Sequence, residues 1–350
     1  MMRAAILGNG QLGAMLEQAG KRIGVAIDLL DVDTGAVPAA DIPISSEREH
    51  WPSNAFTVAL QRHPTWLNSV AYQHLTDRRN QKALLDQLAL PTAAWYVPTN
   101  ETKTSVHERL GPDVFLKSAT GGYDGRGQMR LRQTQPLAFP DWIEESIAES
   151  AVSFDAEVSL VAARSEDGQI VYYRLTENYH HRGILHISLS LENSYAHLQQ
   201  RAENMMASIM QQLDYVGVMA IEFFVVGNDL LINEIAPRVH NSGHWTQAGA
   251  SISQFELHVR AICGLPIVQP EQGNYSMMVN LIGLDYDNRW LTHSAAQLHW
   301  YGKSHRPGRK MGHLNFHHTS PDKLAVWLKK LDLPSDYDES RTWALTRLSR

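Results

Sequence analysis

Apolar and polar positions along the chain switch between two periods, and the switches outline the elements. AAILG (residues 4–8) is a short continuous apolar run, the loop GNGQLG follows, and from about Leu12 to Arg22 the pattern is helical. VAIDLLD (Val25 to Asp31) is a second apolar run. From Asp41 to Asn68 short strands and helices alternate, with a helix beginning near Pro52, and Asp77 to Leu88 is a helix ended by Leu90-Pro91-Thr92. β-Rich stretches dominate next: residues 113–132 around a glycine loop, Ile143 to Val152, FDAEVSLVAAR, and VYYRLTENYHHRGILHISLS. A helix from about Ser194 to Leu213 carries Leu198, Met205, Ile209 and Leu213 on one side, and a helix from Ile252 to Cys263 ends at Gly264 and Pro266. The last 80 residues hold the strands MMVNLIG and QLHWYGK, a tight basic turn Lys303–His313, a helix Lys323–Leu331 and a frayed tail. The fold class is therefore mixed, α/β (α+β).

Between those two helices lies MAIEFFVVGNDLLINEIAPRVHNSGHW, Met219 to Trp245. Gly227-Asn228-Asp229 between apolar runs signals a hairpin. Centred on Asn228, it sets Glu222 opposite Glu234, Phe224 opposite Ile232 and Val226 opposite Leu230. Opposed side chains in such a pair lie about 5 Å apart at Cβ. Two carboxylates at that spacing on an apolar face repel unless one is protonated or a cation lies between them. A hard divalent cation with oxygen ligands resolves the conflict, and Asn233 can add an amide oxygen. The plain alternative is two solvated rim glutamates. Arg238, His240, Asn241, Ser242 and His244 follow within a few residues, where loops carry function.

Gly8, Gly10 and Gly13 have G-x-G-x-x-G spacing between a strand and a helix, with Asp28, Asp31 and Asp33 about twenty residues on. Taken literally this is a dinucleotide fingerprint; physically it suits any anion at a helix N-terminus. The second glycine loop, SATGGYDGRGQ, lies inside a hairpin rather than before a helix, so it is not a Walker A loop. With Lys117 and Arg126 it suits a flap over a triphosphate; the plain alternative is a mobile surface hairpin. Glu47 and Glu49 read as helix-start charges or ligand contacts, and Arg78 and Lys82 as a solvated helix face.

Composition narrows the class without choosing the chemistry. A hydrophobic share of 43% over 350 residues suits two or three globular domains. A net charge of −6 argues against nucleic acid, no stretch approaches a membrane span, and one cysteine, Cys263, fits a reducing, cytoplasmic setting. Seventeen histidines form no zinc-type spacing.

GNGQLG, GGYDGRGQ, EFFV…LLINEIAPRVHNSGHWT and RPGRKMGHLN, in that order, resemble the ATP-grasp carboxylases of purine biosynthesis from about residue 3 to 315. The resemblance implies an ATP-grasp fold: a Rossmann-like N-terminal domain (1–76), an ATP-grasp region (77–268) with a flap at about 92–152, and a C-terminal part (269–350) completing the core and substrate site. It implies ATP and magnesium, and carboxylation of aminoimidazole ribonucleotide by bicarbonate. Arg78, Lys117 and the flap from Gly122 through Tyr123, Asp124, Gly125, Arg126 and Gly127 to Gln128 match phosphate and ATP contacts. Glu149, Ser150, Ala151 and Val152 match the adenine side, Glu157 the ribose, and His180, Asn233 and Glu234 further nucleotide contacts. Glu222 and Glu234 match the magnesium ligands. Tyr123, Asp124 and Arg126 match contacts to the ribonucleotide, whose phosphate would meet Lys303, Arg309 and Lys310 with Gln11 nearby. Arg238, His240, Asn241 and Lys303 match the bicarbonate pocket. The family is typically homodimeric, and its product passes to a downstream mutase.

Ala14, Ser118 and Ala119 depart from the family, which often has basic residues there. Other ATP-grasp ligases, such as the formate-dependent glycinamide ribonucleotide transformylase or a biotin-type carboxylase, share the acidic hairpin; NSGHWT and RPGRKMGH favour the carboxylase. An NAD-linked oxidoreductase would explain only the first 35 residues, and a non-catalytic nucleotide-binding regulator would leave the full set of activating residues without a purpose.

Overall fold

The computed structural model describes residues 2–122 and 127–349. The first apolar runs form β1 (Met2–Leu7) and β2 (Val25–Leu30), with α1 (Gln11–Arg22) between them and β3 (Ile44–Ser46) added on the other side of β1. All three strands are parallel, in the order β2-β1-β3. Ala4 to Leu7 are wholly buried, which fits a central parallel strand covered on both faces. Beyond β3 the expected alternation of strands and helices reduces to helices. These are α2 (Ala55–Gln61), begun by an Asn54–Thr57 capping box, then α3 (Ser69–Leu75) and α4 (Arg78–Gln87), where Asp77 accepts from the Arg79 amide.

β4 (Trp95–Tyr96), α5 (Val106–Leu110), β5 (Asp113–Ser118), β6 (Gln128–Arg132) and β7 (Ser146–Ser150) follow, and their strands make a separate antiparallel sheet, β4-β7-β5-β6. Val106, Val114, Leu116, Leu131, Ile143 and Ala148 give it a small core of its own.

The main sheet has nine strands. β8 (Ala156–Arg164) carries β9 (Ile170–Tyr172) at one end and pairs with β10 (Thr176–His181), which turns at Arg182-Gly183 into β11 (Ile184–Leu191). α6 (Ala196–Gln212) then leads to β12 (Gly217–Val226) and β13 (Asp229–Ala236). α7 (Thr246–Gly249) and α8 (Gln254–Ile262) lead back to β14 (Tyr275–Ile282), β15 (Gln297–Trp300) and β16 (Lys310–His318), which complete the same sheet beyond β11. Alternate residues of β8 and β12 face opposite ways. Val161, Ala163, Val218 and Ala220 join α1 and α8, whereas Leu160, Ala162, Met219 and Ile221 join α6. Met15 and Leu16 of α1 share the first cluster with Phe255 and Val259 of α8, so the first domain is joined to the main sheet by apolar burial. Each such side chain contributes roughly 1.5–3 kcal/mol.

The tail is not frayed. α9 (Pro321–Lys330) is followed by α10 (Asp338–Leu348), and Leu331, Leu333, Tyr337, Ala344 and Leu348 are buried with β14 and β16. The Tyr337 hydroxyl donates to the Asn280 carbonyl at 2.7 Å and accepts from the Ile282 amide at 2.8 Å. No helix among the described residues is long and apolar enough to cross a membrane.

Candidate active site

The β12–β13 hairpin places both glutamates on one side of the main sheet, by a route the sequence reading did not foresee. Val226 pairs with Asp229, so the turn is Gly227-Asn228, and Phe224 and Val225 face Leu231 and Leu230 rather than the expected partners. A β-bulge between Glu222 and Phe223 then takes up one residue, and Glu222 faces Glu234 as expected. The shorter turn and the bulge cancel. The bulge also changes what β13 presents. Leu230, Ile232 and Ile235 point into the core under α6, leaving Asn233 and Glu234, although consecutive, both lining the cavity on the other side.

That cavity, about 1050 Å³, is bounded by the first domain, the small sheet and the main sheet. At its centre Glu222 is short of positive partners. Burial raises its carboxyl, Glu234 and Glu157 add to the rise against His180, and its pKa reaches about 7. The His240 Nε2 stands 3.7 Å from Glu222, and Arg78 Nη2 lies 3.4 Å from Glu234. Both polar side-chain atoms of Asn241 are buried without a hydrogen-bond partner among the described residues. Among the described residues no three or more His, Cys, Asp or Glu side chains group to hold a metal by themselves. Two opposed carboxylates with an unsatisfied buried amide nearby fit magnesium, which keeps few protein ligands and takes the rest from phosphates and water.

Glu149, on β7, an inner strand of the small sheet, is in the opposite situation. Lys117 Nζ lies 2.6 Å from its Oε2, and Lys82 pairs with its Oε1. Burial would raise this carboxyl, but Lys117 and Lys82 hold it at about 2. Lys117 also donates to Asn233 Oδ1 at 3.1 Å. Lys82 is therefore not on a solvated face; it is buried, bonded to Thr92, and its pKa is lowered by burial. Only its place at i+4 from Arg78 and three before the core residue Leu85 hinted at this. Arg78 binds the base of the flap through Ser118 O at 3.0 Å and Gly122 O at 2.9 Å.

Gln128 and Gly127 line the cavity, and the Gly127 carbonyl accepts from the Ser118 amide at 2.7 Å. Tyr123, Asp124, Gly125 and Arg126, expected on both the ATP and ribonucleotide sides, lie outside the described residues. Ser150 and Val152 line the cavity; the Ala151 amide is bound within the small sheet, to Asp113 O at 2.9 Å. Phe154 stacks on Phe224 with ring centroids 4.6 Å apart beside Glu157, a pair the sequence reading did not single out. His180 Nδ1 is 3.0 Å from Glu157 Oε2; burial lowers its pKa, but that bond and Glu222 outweigh it and the net shift is upward.

At the far end Arg238 Nη2 meets Glu49 Oε1 at 2.7 Å, so Glu49 is not a helix-start charge. His240 takes the Ser242 amide on Nδ1 at 3.3 Å, with the Ser242 hydroxyl 2.9 Å away. Burial, then Arg238 and Lys310, hold its imidazole well below the usual range, in the neutral form. Lys303 donates to Gln11, and Lys310 opens β16 at the cavity wall. Arg309 is engaged by its own turn through Ser304, at 3.1 Å to O and 3.0 Å to Oγ. His50, also missed, accepts the Gly121 amide at 3.1 Å and ties the first domain to the flap.

Known proteins share this sequence pattern and fold. Family models match for an ATP-grasp domain, residues 83–255, and for a phosphoribosylaminoimidazole carboxylase C-terminal domain, residues 276–326. The N5-carboxyaminoimidazole ribonucleotide synthase of Escherichia coli (strain K12) is 48% identical over 353 residues, covering 99% of each chain. The chain belongs to the N5-carboxyaminoimidazole ribonucleotide synthase family. The synthetase of that name from Thermus thermophilus superposes with a TM-score of 0.82 at 36% identity, covering 95% of this chain and 100% of the other. A carboxyaminoimidazole ribonucleotide synthase from Aspergillus clavatus, complexed with ATP, gives 0.83 at 26% identity and 99% coverage of both chains.

As a member of this synthase family the chain has the ATP-grasp fold, binds ATP and is an ATP-dependent ligase. The dinucleotide reading of the first glycine loop falls on its own geometry as well. The Gly10 and Gly13 amides are both taken by Glu47, whose carboxylate fills the loop. Of the departures from the family pattern, Ala119 is buried and Ser118 lends its carbonyl to Arg78.

Proposed function

We infer that this chain carboxylates 5-aminoimidazole ribonucleotide with bicarbonate and ATP, giving N5-carboxyaminoimidazole ribonucleotide, ADP and phosphate, a step of de novo purine synthesis. The observation that carries the reading is the open carboxylate pair, Glu222 and Glu234, facing a pocket built from Arg238, His240 and Asn241 in one cavity with Lys303.

ATP lies between the small sheet and the main sheet. Its base is at Ser150–Val152 and the Phe154–Phe224 stack, its ribose at Glu157 with His180, and its phosphates at Lys117, Arg78 and the flap. Glu222 and Glu234 would hold magnesium, which supplies charge neutralisation on the phosphoryl group. Lys117, fixed between Glu149 and Asn233, brings a cation to the same phosphates without reorganising. A bicarbonate oxygen, clamped by Arg238, attacks the γ-phosphorus, and the bond to the ADP oxygen breaks. The resulting carboxyphosphate loses phosphate by cleavage of its carbon–oxygen bond. The exocyclic amine of the ribonucleotide attacks the carbon dioxide released and gives up a proton to the phosphate that has just left. Neutral His240, hydrogen-bonded to Ser242, orients the anion and need not take that proton. Carboxyphosphate hydrolyses readily, so water must be kept out of the closed pocket. The substrate phosphate meets Lys303, Arg309 and Lys310, beside Gln11. Association as a homodimer, a cytoplasmic location and hand-off of the product to a mutase complete the reading.

The test is phosphate release with magnesium-ATP, omitting the ribonucleotide and bicarbonate in turn. Release that needs the ribonucleotide, with an acid-labile carbamate formed from bicarbonate in step, is expected. Release driven instead by glycinamide ribonucleotide and formate would move the function to that transformylase.

A further inference from the structure

The glycine loop of the first domain is filled by a carboxylate of the chain itself. Glu47, 7% exposed, follows directly on β3. Its Oε1 accepts the Gly10 amide at 2.5 Å and its Oε2 the Gly13 amide at 2.5 Å. These amides belong to the start of α1, which has no side-chain cap of its own and no acidic residue in its first turn. A Cβ added at Gly8 would lie 2.4 Å from Glu47 Cγ, and one at Gly10 2.9 Å from Oε1. The glycines therefore admit the carboxylate. Charge-assisted bonds to two amides at the positive end of a helix are strong, and no ligand anion can use the same donors while Glu47 is there.

Between the two clamped amides stands Gln11. Its Oε1 accepts Lys303 Nζ, from a segment 292 residues further along the chain. The carboxylate, the first turn of α1, the Gln11 amide and the Lys303 ammonium thus form one connected series from the N-terminal domain to the cavity.

We propose that Glu47 is a positioning residue for the ribonucleotide end of the site: it fixes the start of α1 so that Gln11 holds Lys303 in place, and it closes the glycine loop to phosphate. This rests on the ribonucleotide reading of Lys303 given above. The effect spares ATP, because Lys117 and Glu149 at the ATP end of the cavity bond to Asn233 and to each other and have no bond to α1 among the described residues.

The experiment compares wild type with Glu47→Ala, Glu47→Gln, Gln11→Ala and the Glu47→Ala/Gln11→Ala pair. Glu47→Ala should raise the KM for the ribonucleotide about tenfold and leave that for ATP within about twofold. Acetate, as a free carboxylate, should restore most of the loss in Glu47→Ala and do nothing to wild type. Gln11→Ala should match the defect, and the double variant should be no worse than Gln11→Ala alone. Glu47→Gln keeps one acceptor and sets an NH2 against the other amide. It should fold and show a rise of about threefold, which keeps the idea testable if the alanine variant does not fold. KM values for both substrates rising together without acetate rescue, additive single effects, or an unchanged ribonucleotide KM would each overturn the proposal. If wild type releases no phosphate with the ribonucleotide, the functional reading fails instead. The clamp is then judged by melting temperature: acetate should raise it in Glu47→Ala and not in wild type, and no rise in the variant refutes it.

Discussion

Glu149 and Glu222 lie on the walls of one cavity and are held at opposite ends of the carboxylate range, at about 2 and about 7. Burial pushes both upward, so it cannot be the source of the difference. Two lysines, Lys117 and Lys82, overcome it at Glu149. At Glu222 the facing group is another carboxylate, and the neighbouring His240 is neutral. Glu149 is a finished structural pair whose purpose is to fix two cations. Glu222 and Glu234 are unfinished, and an unfinished pair of carboxylates facing a cavity marks where a ligand belongs. Glu47, saturated by two amides, falls with Glu149.

The largest effect should come from the unfinished pair. Glu234→Gln removes one carboxylate, so phosphate release should fall at least ~100-fold in saturating ATP, through weakened magnesium binding. The Glu222 carboxyl should drop from about 7 at the same time, since the charge of Glu234 is one of the causes holding it up. Phosphate-release assays and a pH titration of the metal-free variant read the two; near-normal turnover would remove Glu234 from the metal site.

The finished pair breaks differently. Lys82→Met leaves Glu149 buried with one cation, and removing one partner of a buried ion pair costs about 3–5 kcal/mol. Urea unfolding should show that loss. ATP binding should weaken as well, because Lys117 then carries Glu149 alone. A stability change below about 1 kcal/mol would mean that the pair is solvated like a surface bridge.

The two settings were not equally legible in the sequence. The Glu222–Glu234 pairing could be read because the hairpin is local and the alternation of its apolar residues fixes the face. The reading was right through two compensating differences, a two-residue turn and a bulge. What the bulge does to Asn233 could not be read, because nothing in the pattern of EFFV and LLINEIA announces an extra residue. Lys82–Glu149 and Glu47–Gly10 join residues far apart in the chain, and no local period encodes them. Strands β1 and β2, and the helices expected over Asp77 to Leu88 and Ile252 to Cys263, were clear from apolar runs; the structure begins the second after a Ser253 cap. The helix after Leu331 was missed, since α10 lacks a sharp apolar stripe and is held by Tyr337 and by strands distant in sequence.

A buried group with no charged partner among the described residues serves as the control. His258 of α8 accepts the Val218 amide at 3.0 Å and lies 3.1 Å from Ser45 Oγ. Burial alone lowers its pKa to about 4. The unfolded chain, with an ordinary histidine, binds more protons between about pH 6.5 and 4, so stability is lost as pH falls through that window. The whole shift corresponds to about 3 kcal/mol. Urea unfolding at a series of pH values should show this slope, and His258→Gln should flatten it. A slope unchanged in the variant would assign the pH dependence to other groups.

The smallest effect should come from the residue that links the two carboxylate settings. Asn233 is turned toward the cavity by the bulge, and its Oδ1 accepts from Lys117, which also serves Glu149. Asn233→Ala leaves Glu149 and Glu234 in place and deletes only this acceptor. One hydrogen bond to a charged group contributes about 1.5–3 kcal/mol at most, and the second partner of Lys117 should reduce that to roughly 1 kcal/mol. The KM for ATP should therefore rise about fivefold, with turnover in saturating ATP within about twofold of wild type. If turnover falls as far as in Glu234→Gln, Asn233 acts with the open pair rather than with Lys117. If the KM is unchanged, Glu149 alone positions the lysine and the two settings are independent.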